Sequence, residues 1–65
     1  SISQNIMRER QAIIIVQYVY FKAGDDEQGL KLAEETNAKF EGTQIPLIPT
    51  NREESIRIGI QYGLN

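Results

Sequence analysis

The 65-residue sequence contains no cysteine and no histidine. Without cysteine the chain forms no disulfide, carries no thiolate nucleophile and offers no sulfur to a metal. Without histidine it also lacks the commonest general base and the commonest transition-metal ligand, so only carboxylates remain for hard cations such as magnesium or calcium. Proline is absent before Pro46, and only Pro46 and Pro49 occur at all. Positive charge is not in excess: seven Lys and Arg stand against nine Asp and Glu, a formal charge of -2. That balance gives no global attraction to a phosphate backbone or an anionic membrane, and nucleic acid is disfavoured as a partner. The one apolar run is far shorter than the ~20 residues needed to cross a bilayer. No basic segment with an apolar core and small-residue cleavage site precedes it, so a cytoplasmic protein is expected, with no membrane partner. The opening Ser1 leaves both processing and a longer parent chain open.

At 40% hydrophobic and 25% charged residues, the composition is that of an ordinary folded domain. A chain this short buries only roughly 60% of the surface its unfolded form exposes, so a homo-oligomer or a protein partner is expected to complete it. The organising stretch is Ala12 to Phe21, where eight of ten positions are β-branched or aromatic. This predicts a buried strand over 12–22, with Ile13, Ile15, Gln17, Val19 and Phe21 on one face and Ile14, Val16, Tyr18 and Tyr20 on the other. One face is expected to meet a helix. The second face, carrying Ile14, Val16, Tyr18 and Tyr20, is then the expected self-association interface. An alternative is a stacking platform for single-stranded bases built from Tyr18 and Tyr20, with Lys22 nearby.

Residues 1–11 read as a polar lead-in, with spacing compatible with a short helix after Ser3 as N-cap. Gly24 and Gly29 have the spacing of a phosphate-loop pair. Leu30-Lys31 stands where Lys-Ser/Thr is required, and three carboxylates intervene, which excludes a nucleotide loop. Asp25, Asp26 and Glu27 read as helix-start caps, with a divalent-cation site as the alternative. A helix is predicted over 26–41, with Leu30, Ala33, Thr36, Asn37 and Phe40 along one stripe and Gly42 as its stop. Glu27 with Lys31, and Glu35 with Lys39, add i,i+4 pairs contributing ~0.3 kcal/mol each. Thr43 to Pro49 reads as an edge strand, since each proline removes a backbone donor; the Pro46-x-x-Pro49 spacing also matches a polyproline ligand. The last fifteen residues give two conflicting signals. Thr50 with Glu53 forms a capping box and Gly63 a helix stop, yet Ile56, Ile58, Ile60, Tyr62 and Leu64 alternate with Arg57, Gly59, Gln61 and Gly63. The alternation predicts a turn over 50–55 and a strand over 56–63.

Leu47-Ile48-Pro49-Thr50, followed by Arg52-Glu53, Ser55 and Gly59-Ile60, resembles the signature of small selenium/sulfur carrier-like domains. Those have a strand, a helix, a second strand ending in Leu-Ile-Pro-Thr-Pro-Arg-Glu, then a Ser-rich turn ending in Cys-Gly and a further strand. Two positions differ: Asn51 replaces the second proline and Ile58 the cysteine. A carrier needs a thiolate to hold the chalcogen, so the resemblance implies the scaffold without its chemistry. It also implies a structured turn in which Thr50, Arg52 and Ser55 bind a small molecule or anion, with Arg52 gripping a carboxylate or phosphate.

The sequence therefore predicts an α+β fold of order βαββ, a ferredoxin-like fragment, in one domain spanning 1–65. It predicts a non-catalytic binding or assembly domain that self-associates through its sheet. No catalytic residue, metal or cofactor is assigned.

Overall fold

The computed structural model describes residues 3–64, and its element order is helix, helix, helix: α1 (Gln4–Lys22), α2 (Asp26–Phe40) and α3 (Arg52–Gln61). Among the described residues there is no strand, so the α+β ferredoxin-like reading is overturned. The predicted strands over 12–22 and 56–63 are both helical, 43–49 pairs with no other strand, and most of the 50–55 turn belongs to α3.

The strand reading of 12–22 fails because strand propensity spans only ~1 kcal/mol per position and yields to packing. The side chains α1 buries are Ile14, Gln17, Tyr18 and Phe21, a spacing of three, four and seven that lies along one helical stripe. Gln4 to Ala12 upstream consists largely of good helix formers, and no glycine or proline interrupts the chain before Gly24. Ser3 caps this helix, its hydroxyl accepting from the Asn5 N–H at 3.1 Å. At the far end Gly24 takes φ +84°, while the Gly24 and Asp25 N–H groups donate to the Phe21 and Tyr20 carbonyls at 3.1 and 2.9 Å. This reverse-turn closure satisfies two of the last carbonyls of α1 and turns the chain at once into α2.

α2 occupies Asp26–Phe40, where the sequence predicts helix over 26–41, and Asp25 caps it by accepting from the Gln28 N–H. It buries Gly29, Ala33, Thr36 and Phe40. α3 is capped by Asn51, one residue later than the Thr50 of the predicted capping box, with the Asn51 Oδ1 accepting from the Glu54 N–H at 2.9 Å. It ends as α1 does, with Gly63 at φ +88° and the Leu64 N–H donating to the Gly59 carbonyl.

α1 is the central element, packing against both α2 and α3. Its two buried rings each meet a glycine. Phe21 lies where a Cβ on Gly29 of α2 would come within 2.9 Å of the ring, and Tyr18 lies where a Cβ on Gly59 of α3 would overlap it outright. The core is Ile14, Ala33 and Ile48, with Ile13 and Ile58 packed against it.

Candidate interaction surface

Between α2 and α3 the chain runs extended past Pro46 and Pro49, and its carbonyls are satisfied by side chains rather than by a neighbouring strand. The Arg10 Nε donates to Pro46 O at 2.7 Å and its Nη2 to Leu47 O at 3.2 Å. The Asn37 Nδ2 donates to Ile48 O at 3.1 Å, while its Oδ1 accepts from the Ile48 N–H at 2.8 Å. The Gln17 Nε2 donates to Pro49 O at 2.6 Å and also to Gly29 O at 3.3 Å. Four consecutive carbonyls are thus held by three side chains from α1 and α2. This strap seals the core with Ile48 and positions α3.

The predicted ligand turn is not assembled as a shared site. The Arg52 Nη1 donates to the Phe21 carbonyl at the end of α1 and stands 3.9 Å from the Asp26 carboxylate. Its guanidinium therefore ties the start of α3 to the α1–α2 corner. Ser55 is wholly buried, whereas Thr50 is exposed and lines a shallow groove of about 210 Å³ with Asn37, Leu47 and Ile58. Asp25, one of the acidic residues weighed as cation ligands, is engaged as the α2 cap, and Asp26 faces Arg52.

The four residues predicted to form an interface divide in two. Ile14 and Tyr18 lie in the core of the single chain, so neither sheet self-association nor a platform of Tyr18 and Tyr20 stands. Val16 and Tyr20 remain on the surface at 47% and 37% exposure. They belong to a second apolar face of α1, directed away from the core stripe. Ala12, Val16 and Tyr20 recur every four residues, with Ile13 and Val19 beside them, and Val19 is 58% exposed. Ala12, Ile13 and Val16, together with Leu32 of α2 and with Glu9 on the rim, line a groove of about 220 Å³.

Ala12, Ile13, Leu32 and Glu9 were not singled out as site residues by the sequence reading. For Ala12 and Ile13 the signal is arithmetic: α1 has more apolar side chains than one core stripe uses, and the surplus falls at helical spacing.

No protein-family model, no curated protein and no solved structure matches this chain. Among the described residues no helix is long and apolar enough to cross a membrane.

Proposed function

We propose that this chain is a non-catalytic protein-interaction domain whose docking surface is the outer face of α1, and that its ligand is an apolar α-helix. The observation that carries this reading is the groove between α1 and α2. It is lined by Ala12, Ile13, Val16 and Leu32 and continues into exposed Val19 and Tyr20. Contiguous apolar surface of this kind, rimmed by a charge such as Glu9, is what helix-in-groove recognition uses. A non-catalytic role accords with the residues at hand. The chain has neither histidine nor cysteine, and Arg52, the best candidate for gripping an anionic substrate, is bonded to the Phe21 carbonyl.

The test is a displayed library of amphipathic helices selected against the intact protein. Selected helices are expected to lose binding to Val16→Glu while retaining it to Glu35→Lys, which changes an exposed charge on α2. Helices that bind Val16→Glu as well as they bind the parent chain would place the docking surface elsewhere.

A further inference from the structure

We propose that the hollow between the N-terminal half of α1 and the end of α3 binds a small aromatic anion, an aryl phosphate or aryl carboxylate. Arg8 and Arg10 hold the anionic head, and Met7 and Tyr62 hold the ring. The site is separate from the helix-docking groove and does not depend on it. The hollow has a volume of about 360 Å³ and is lined by Gln4, Met7, Arg8, Arg10, Gln11 and Tyr62. That is within the range of roughly 300–1,000 Å³ that small-molecule sites occupy, whereas the α1–α2 groove, at about 220 Å³, falls short of it.

Charge selects the class of ligand. Two of the seven Lys and Arg residues line the hollow, and no carboxylate does. Glu9, the acid between them in sequence, lines the α1–α2 groove instead, and the first turn of α1 holds no acidic residue. A chain of net charge -2 thus carries one local concentration of positive charge. The two arginines differ in state. Arg10 is fixed by the strap, its Nε donating to Pro46 O at 2.7 Å and its Nη2 to Leu47 O at 3.2 Å, while its Nη1 has no partner among the described residues. A guanidinium already held in one plane loses little further freedom when it meets an anion. Arg8 is exposed and has no hydrogen bond or ion pair among the described residues. Together they offer charge-assisted hydrogen bonds to one phosphate or carboxylate head.

The remaining lining sets the body of the ligand. Gln4, Met7, Arg8 and Gln11 recur at i, i+3, i+4 and i+7, one stripe of α1, and Tyr62 faces that stripe from the stop of α3. The Tyr62 ring is 41% exposed and Met7 is half-buried, so both have free apolar surface. A flat ring suits both walls, because aromatic pairs and sulfur–aromatic contacts each favour it.

The experiment is a heteronuclear NMR titration of the intact protein with phenyl phosphate, benzoate, inorganic phosphate and phenol at constant ionic strength. Phenyl phosphate is expected to bind with a Kd on the order of 1 mM and to shift the Arg10 Nε–H and the backbone signals of residues 4–11 and Tyr62. Inorganic phosphate and phenol each keep one half of the ligand and are expected to bind about tenfold more weakly. Arg8→Gln is expected to weaken phenyl phosphate about tenfold. Arg57→Gln, which removes the same charge from an exposed position of α3 outside the hollow, is expected to weaken it less than about twofold. Tyr62→Leu is expected to abolish the preference for phenyl phosphate over inorganic phosphate. Both Arg8 and Tyr62 are exposed, so helical circular dichroism is expected to be retained in each variant. Tighter binding of benzoate than of phenyl phosphate would assign a carboxylate head, the reverse a phosphate head, and either supports an aryl anion. No binding of either aryl anion below about 20 mM, shifts confined to other residues, equal loss in Arg8→Gln and Arg57→Gln, or inorganic phosphate bound as tightly as phenyl phosphate would each overturn the proposal. None of these readouts involves Val16, so the docking reading is tested apart from them.

Discussion

Gln17 is wholly buried inside an apolar helix stripe, and the reason is the pair of carbonyls it serves, Gly29 O on α2 and Pro49 O on the strap. A buried carbonyl deprived of its donor costs about 1–3 kcal/mol, so Gln17→Leu is expected to destabilise the chain by roughly 2–4 kcal/mol despite its greater hydrophobicity, as read by urea unfolding. An unchanged midpoint would show that water replaces the amide. The glycine contacts give a graded prediction. At Gly59 an added methyl meets the Tyr18 ring itself, whereas at Gly29 it stops 2.9 Å from Phe21. Gly59→Ala is expected to cost about 1–3 kcal/mol and Gly29→Ala less, with Tyr18→Leu recovering part of the loss in the Gly59→Ala background. Arg52 sits at the exposed end of the scale. Its pairing with Asp26 is half solvated, so the bond to the Phe21 carbonyl dominates, and Arg52→Ala is expected to lower stability by roughly 1 kcal/mol.

Among the elements, α2 shows how far local chemistry carries. Its acidic N-terminal cap, its buried Ala33, Thr36 and Phe40 and its glycine stop are all readable in sequence because no competing pattern overlies them. In α1 the beta-rich run from Ile13 to Phe21 did compete, and only packing resolved it. Once Gln17 serves as an internal donor, the stripe of Ile14, Gln17, Tyr18 and Phe21 is the one that matters. In α3 the punctuation was the truer guide. The alternation groups Ile60 with the apolar face of a strand, yet in α3 Ile60 is exposed and the buried positions are the small Ser55 and Gly59, which a search for apolar periodicity passes over. The outer face of α1 was half legible: Val16 and Tyr20 were picked out as interface residues, but for a strand face that also contained Ile14 and Tyr18. The strap was hidden because its partners are polar side chains 11 to 37 residues away. Its dependence on Asn37 is open to test. Asn37→Asp keeps the acceptor for the Ile48 N–H and removes the donor to Ile48 O, so hydrogen exchange at Ile48 is expected to rise less than in Asn37→Ala. Equal exchange in the two would assign the protection to burial alone.

For the whole molecule, the limiting quantity is core. Among the described residues only six hydrophobic residues are buried, Ile14, Tyr18, Phe21, Ala33, Phe40 and Ile48, while eight large hydrophobic residues are exposed. Docking of an apolar helix over Val16, Val19 and Tyr20, as proposed above, adds stability by mass action, so a saturating selected helix is expected to raise the unfolding temperature of the parent chain and not that of Val16→Glu. An unchanged unfolding temperature in the parent chain would place the docking surface elsewhere. The strap also orders events in time. α1 and α2 are joined by a three-residue turn and meet through near neighbours in sequence, whereas Arg10 reaches Pro46 and Leu47 only across 36 and 37 residues. Loops of that length close late, after local contacts have formed. The α1–α2 hairpin is therefore the early folding unit, and until the strap closes the newly formed chain presents the Gly59-facing side of Tyr18, as well as the outer face of α1, to its surroundings.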